Sequence, residues 1–275
     1  MTDAKLRTIM VATDLSERSD RALDRAVMLA RAHDARLSVV SAVDGAYPPA
    51  LRDEFTARVR QHLDHARPGD DVVTTIHVEA GDVVEILLRH LNGPEVDLAV
   101  LGVHRTRTFL DGLRQTTMER LVQGVRKPVL LVRDLATGPY ARALVPVSFS
   151  PSCAAALAAV AQIAPGASCR AVHAWLVPFG GLTGGAGSEM APAVEAETRA
   201  LAEDWAARLP AGLPRPVLVH GGVVEVLERE LATVAPDLVA IGAHTRPGPA
   251  LHPLGGFAAE LIRRPPCDLL VTRGR

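Results

Sequence analysis

Aromatic residues make up only 3% of the 275-residue chain, and that shortage excludes one class of function at once. A surface that stacks nucleic-acid bases needs several presented rings. Lysine is nearly missing, standing only at Lys5 and Lys127, but arginine fills its place. Thirty basic side chains meet 31 acidic ones, for a formal net charge of -1 and a pI of 6.8. No one-signed field draws the chain toward nucleic acid or an acidic membrane. The arginine preference reads as genome composition rather than chemistry.

Cysteine is also scarce. Cys153, Cys169 and Cys267 form no C-x-x-C pair and lie among apolar residues, which points to buried free thiols in a reducing, cytoplasmic setting. The greasiest run, Cys153 to Ala164, is too short to span a bilayer. The opening Met1-Thr2-Asp3-Ala4-Lys5 lacks the apolar core of a signal peptide. His62, His65 and His90 fall in no metal-ligand pattern, and neither a G-x-x-x-x-G-K-[ST] loop nor a G-x-S-x-G elbow occurs. No catalytic residue and no metal site is therefore assigned, and no membrane partner is expected.

What the chain does contain is a repetition. Asp97-Leu98-Ala99-Val100-Leu101-Gly102-Val103-His104 returns as Asp237-Leu238-Val239-Ala240-Ile241-Gly242-Ala243-His244, 140 residues later. Upstream, Gly81-Asp82-Val83-Val84-Glu85 answers to Gly221-Gly222-Val223-Val224-Glu225 at the same spacing. The chain is a tandem duplication, with domains expected over 1–136 and 137–275 and a linker around Thr137-Gly138-Pro139.

Each copy alternates strands with helices. Strands are expected at 7–13, 36–43, 72–78, 96–101 and 129–132, and again at 142–147, 167–175, 216–220, 238–241 and 269–272. Several are apolar on both faces, as in a parallel sheet covered by helices. Ser16, and Ser150 followed by Pro151, are helix starts, and Asp82 with Glu85 has the spacing of a capping box. In a doubly wound sheet, ligands bind beyond the carboxyl ends of strands where the winding reverses. Asp14 follows the first strand and Gly102 the fourth, so the two loops share a crevice if those strands are neighbours.

The order of pieces then becomes specific: Ile-x-Val-x-x-Asp-x-Ser at Ile9 to Ser16, Gly81-Asp82, Asp97 to His104, Thr-Thr-x-Glu-Arg at Thr116 to Arg120, and Pro-Val-Leu-Leu-Val at Pro128 to Val132. This order resembles the universal stress protein family, once per half. The resemblance implies an α/β fold of two Rossmann-like domains, of the adenine nucleotide alpha hydrolase-like kind, each a five-stranded parallel sheet flanked by helices. It also implies pairing of the halves as an internal dimer. The expected meeting place is their final strands, and outer surfaces are left that can join tandem chains as a homodimer.

Family members that bind ATP carry Gly-x2-Gly-x9-Gly-[Ser/Thr] after strand four, where bare backbone N–H groups approach phosphate oxygens. The resemblance places the first half's site at Thr13, Asp14, Ala42, Gly102, His104, Arg105, Gln115, Thr116 and Thr117. Gly102 and Thr116 keep the motif, while Arg105 and Gln115 replace its second and third glycines. In the second half Gly242 and Gly255 are kept, Thr245 and Gly256 depart, and Ser148 stands where the first half has Asp14. Arg105 and Arg107 can supply charge to a phosphate where glycines are missing. His104 and His244 recur at matched positions and read as part of the loop's own hydrogen bonding.

Two functional classes follow. One is a non-catalytic stress-response protein that takes an adenine nucleotide such as ATP, mainly in the first half, with at most slow incidental hydrolysis. The other is a dimerisation and interaction module whose pockets are vestigial. Asp14 and Thr116 favour the first class, and the replaced glycines favour the second.

Overall fold

The computed structural model describes residues 5–66, 71–103, 117–177, 189–243 and 255–273. Contacts gather the chain into two compact units. Of the described residues, one holds 5–139 together with 255–271, and the other holds 140–243 with 272–273.

The first unit contains β1 (Thr8–Ala12), α1 (Glu17–His33), β2 (Arg36–Asp44), α2 (Pro49–Ala66), β3 (Thr74–Gly81), α3 (Val83–Leu91), β4 (Leu98–Gly102), α4 (Thr117–Gly124) and β5 (Val129–Val132). Its strands lie in the order β3-β2-β1-β4-β5, every neighbouring pair parallel. Ile9, Met10 and Val11 in β1 and Leu98, Ala99 and Val100 in β4 are fully buried, as strands covered on both faces must be. The aspartate that opens the repeated stretch pins the two central strands together. Asp97 Oδ2 accepts from Arg7 N at 2.7 Å and Thr8 N at 3.2 Å, so the starts of β1 and β4 are held level.

Ser16 caps α1 by accepting from Ser19 N, and Asp82 caps α3 by accepting from Glu85 N, as their spacing implies. Strand β3 runs on to Gly81, beyond the Val78 at which its apolar pattern stops. Glu79, Ala80 and Gly81 stay in register with Ala42, Val43 and Asp44. Backbone pairing needs no apolar side chain, so the hydropathy pattern understates the strand's length.

Polar groups cluster where β3 meets α3. Glu79 accepts from His90 Nε2 at 2.6 Å and from Arg89 at 2.5 Å, and the His77 and His90 rings lie 4.8 Å apart. Burial, then the neighbouring His90, holds the pKa of His77 below the ordinary imidazole value of 6.5. The hydrogen bonds from His90 and Arg89 hold Glu79 below the usual carboxylate value. A histidine depressed in the fold is protonated more readily when unfolded, so acid favours the unfolded chain. That loss begins as pH falls through about 6.5, well before Glu79 would release its own contribution below 4.5. Melting temperature is therefore expected to drop between pH 7.5 and 5.5, and His77→Gln to flatten the drop; parallel slopes for variant and wild type would contradict this.

A further helix and strand, α8 (Gly256–Arg263) and β10 (Asp268–Arg273), come from the second half of the sequence. Residues 256–271 of this segment belong to the first unit. β10 pairs antiparallel with β5 through Leu269↔Leu131, Leu270↔Leu130 and Val271↔Val129, so these final strands share one hydrogen-bonded ladder instead of belonging to two separate sheets packed together. Asp268, 1% exposed, accepts from Arg133 N at 2.8 Å and Asp134 N at 3.0 Å through Oδ1. Its Oδ2 lies 3.4 Å from Nε of buried Arg25, which also donates to Gly138 O. Arg263 of α8 donates to buried Glu119 of α4 at 3.0 Å.

The second unit holds β6 (Arg142–Pro146), α5 (Pro151–Ile163), β7 (Ser168–Trp175), α6 (Ala191–Ala207), β8 (Val217–His220), α7 (Val223–Val234) and β9 (Leu238–Ala243). Its order β9-β6-β7-β8 is parallel throughout. The devices of the first half return: Asp237 accepts from Ala141 N and Arg142 N, and Ser150 caps α5. All three cysteines are free, Cys153 and Cys267 buried and Cys169 half-buried. Burial raises the Cys169 thiol to about 11, which leaves it a poor nucleophile. No described helix is long and apolar enough to cross a membrane.

Candidate functional site

β1 and β4 are hydrogen-bonded neighbours, paired Ile9↔Leu98, Met10↔Ala99 and Val11↔Val100. The chain leaves β1 toward β2 on one side and returns to β4 on the other, so the winding reverses between them. The loops after β1 and β4 thus open at the place where such sheets bind ligands.

Thr13 continues the ladder, donating from its backbone N to Val40 O at 2.9 Å. Its hydroxyl donates to Ser19 Oγ at 3.1 Å and accepts from Leu15 N at 3.1 Å. Asp14 is exposed, and its Oδ1 accepts from Ser16 N at 3.1 Å and Ser16 Oγ at 2.5 Å. Leu15 takes the left-handed conformation, φ 59°, which turns the chain sharply into α1. The carboxylate is thus held on a short, internally bonded turn at the helix start, where the helix dipole favours negative charge. Ala42 lies on β2 two residues beyond Val40, half-buried and in register with Glu79.

Gly102 sits against the first turn of α1. A Cβ there would lie 2.6 Å from Arg18 O and 3.2 Å from Ser19 N. Ser19 is consequently the residue on which Thr13 and Gly102 converge, and sequence reasoning passed over it. Its signal was Cys153, a buried residue at the matching place three positions past the helix-capping serine.

The second half builds the same turn with different chemistry. Phe149 has φ 59°, as Leu15 does, and Ser150 caps the helix as Ser16 does. Ser148 occupies the place of Asp14, and its N–H is directed at Cys153 Sγ, 3.3 Å away. A Cβ on Gly242 would lie 2.4 Å from Ser152 C and 2.5 Å from Cys153 N. Phe149 stacks on His173 with ring centroids 4.1 Å apart, and Trp205 donates to Ser150 O. His173 Nδ1 lies 2.8 Å from Val147 O and, facing a carbonyl, carries the proton. The second turn is therefore backed by rings and a thiol, with no carboxylate.

The structure brings Thr13, Asp14 and Gly102 together at adjacent strand ends. Thr117 is exposed and opens α4. Gly242 belongs to the second unit, while Gly255, with φ 81°, and Gly256 start α8 in the first. His104, Arg105, Gln115 and Thr116, with Arg107, Thr245 and His244, lie outside the described residues.

Comparison with known proteins agrees with this arrangement. The profile of the Universal stress protein family matches twice, over residues 5–133 and 139–273. A universal stress protein from Archaeoglobus fulgidus DSM 4304 superposes with a TM-score of 0.71 at 17% identity, covering 98% of this chain and 97% of that one. A putative universal stress protein from Pseudomonas aeruginosa UCBPP-PA14 gives 0.67 at 15% identity, covering 98% and 94%. Among curated proteins no significant match is found. The chain, matched over almost its whole length and once in each half, belongs to the universal stress protein family.

Proposed function

We propose that this chain is a non-catalytic stress-response protein that takes an adenine nucleotide, ATP foremost, at the β1–β4 crevice of its first half, with domains divided at 136/137. The observation that carries this reading is Asp14. It is an exposed carboxylate fixed on a turn at the point where the sheet's winding reverses, beside the end of β4. A carboxylate there accepts hydrogen bonds from nucleoside hydroxyls, and Thr13 before it, Ala42 on β2 and Gly102 at the end of β4 complete the proposed site. Thr117, with Thr116 and Arg105 before it in sequence, supplies polar groups for phosphates. The second half, with Ser148 where the first has Asp14, takes nucleotide more weakly.

Losing one charge-assisted hydrogen bond costs about 1.5–3 kcal/mol, roughly ten- to a hundredfold in affinity. Calorimetric titration of the intact chain with ATP is expected to show that loss in Asp14→Ala and little change in Ser148→Ala. Unchanged affinity in Asp14→Ala, or a larger loss in Ser148→Ala, would place the site elsewhere.

A second reading has its own observation. Gly102 and Gly242 are each required by the close approach of a helix's first turn, so their retention demands no phosphate. If the crevices are vestigial, the chain serves as an interaction module, and outer surfaces can join tandem chains as a homodimer. Wild-type protein that gives no heat with ATP at any concentration would select this reading.

A further inference from the structure

The β5–β10 strand pair has a local symmetry. Leu130 pairs with Leu270, its own counterpart at the 140-residue spacing, and Val129 and Leu131 pair outward from it in mirrored order. Any contact across such a pair has a mate, reached by exchanging equivalent positions of the two halves. Two ion pairs, each with at least one buried member, break that equivalence. Glu119 in α4 binds Arg263 in α8, and the mate positions are Gln123 and Ala259, neither charged. Arg25 in α1 binds Asp268 in β10. The counterpart of Asp268 is Pro128, and that of Arg25 is Ala159, counting from the matched caps Ser16 and Ser150.

We propose that the face formed by α1, α4 and β5 is keyed by charge to one partner, the α8–β10 segment of this chain's second half, and rejects a second copy of the first half. If two first halves met through this face, Glu119 would stand opposite the Gln123 position and Arg25 opposite Pro128. Both charged groups would be buried without counter-charge. The N–H groups of Arg133 and Asp134 would lose the carboxylate that accepts them now. Two second halves would set Asp268 against Ala159 and Arg263 against Ala259. An unpaired buried charge is strongly unfavourable, so two first halves are opposed at Glu119 and Arg25 and two second halves at Asp268, where half-buried Arg263 adds less. Only the mixed pairing satisfies every group. The duplication has thus turned a face that could pair with itself into a lock for one dissimilar partner, and the tandem chain closes on itself rather than on its neighbours.

The test reverses one ion pair across two full-length chains carrying different affinity tags. One chain has Glu119→Arg and the other Arg263→Glu. Each alone carries like charges at the contact, whereas exchange of second halves between them restores opposite charges at both contacts. On co-expression, native mass spectrometry is expected to show one-to-one mixed dimers as the main species, well above the level given by two tagged wild-type chains. The doubly changed chain, Glu119→Arg with Arg263→Glu, is expected to return to a closed monomer that melts above both single variants. If Glu119→Arg does not accumulate alone, its recovery on co-expression with the Arg263→Glu chain is the expected result, and its continued absence overturns the proposal. Mixed dimers no more abundant than in wild type, or a doubly changed chain melting below the singles, also overturns it.

Discussion

Replacing Asp268 by alanine is expected to lower stability by about 3–5 kcal/mol, the usual cost of leaving a buried charge without its partner. Asp268 is 1% exposed and accepts two backbone N–H groups at the end of β5 while facing the guanidinium of buried Arg25. The substitution removes the acceptor of the two part-buried N–H groups and the counter-charge of buried Arg25. Asp268→Asn keeps the shape and one acceptor oxygen but removes the charge, so its loss is expected to be smaller. The exposed pair Glu195–Arg199 on α6 serves as the control, since solvent screens it. Chemical denaturation followed by circular dichroism gives the comparison. An Asp268→Ala variant that unfolds at the same denaturant concentration as Glu195→Ala would show that β10 is not anchored through this carboxylate.

Gly242→Ala is the second large effect. The added methyl would lie 2.4 Å from Ser152 C, 2.5 Å from Cys153 N and 2.6 Å from Ser152 O, all backbone atoms of the first turn of α5. No side chain can swing aside to admit it. The helix must move off the sheet, although Thr272 Oγ1 holds Ser152 O at 3.1 Å. Overpacking typically costs about 1–3 kcal/mol, and a contact made wholly with backbone belongs at the upper end. Gly256→Ala, where nothing stands within 4 Å, is expected to cost far less. Because the loss in Gly242→Ala arises from packing, it appears in nucleotide-free protein. A variant that melts like wild type without nucleotide would return this glycine to a purely ligand-binding role.

These glycines show where the sequence was legible and where it was not. The repeated stretch from Asp97 to Gly102 announces a duplicated α/β fold, and the structure explains each end of it. The aspartate ties β4 to β1, and the glycine admits a helix turn. Both uses join residues far apart in the sequence, Asp97 to Arg7 and Gly102 to Arg18, and both recur in the second copy. The neighbour relation of β1 and β4 is not local and could be given only as a condition, yet the crevice depends on it. Ser19 was missed because a serine among the charged residues of a helix's first turn looks like a solvent-facing one. Its task is visible only when Thr13 and Gly102 are seen to meet on it. Arg25 and Asp268 are 243 residues apart, and nothing in either local sequence marks them as partners. Asp14, by contrast, could be singled out, because the resemblance to the universal stress protein family puts an acid at the end of the first strand.

The central claim is one adenine nucleotide per chain, held in the first half. Native mass spectrometry of the intact chain under rising ATP tests it most directly, since it counts bound ligands on each molecule. The expected result is a single bound nucleotide at concentrations where the Asp14→Ala chain remains empty, with the Ser148→Ala chain loaded like wild type. Two nucleotides bound with equal affinity, or one that persists unchanged in Asp14→Ala, would contradict the account.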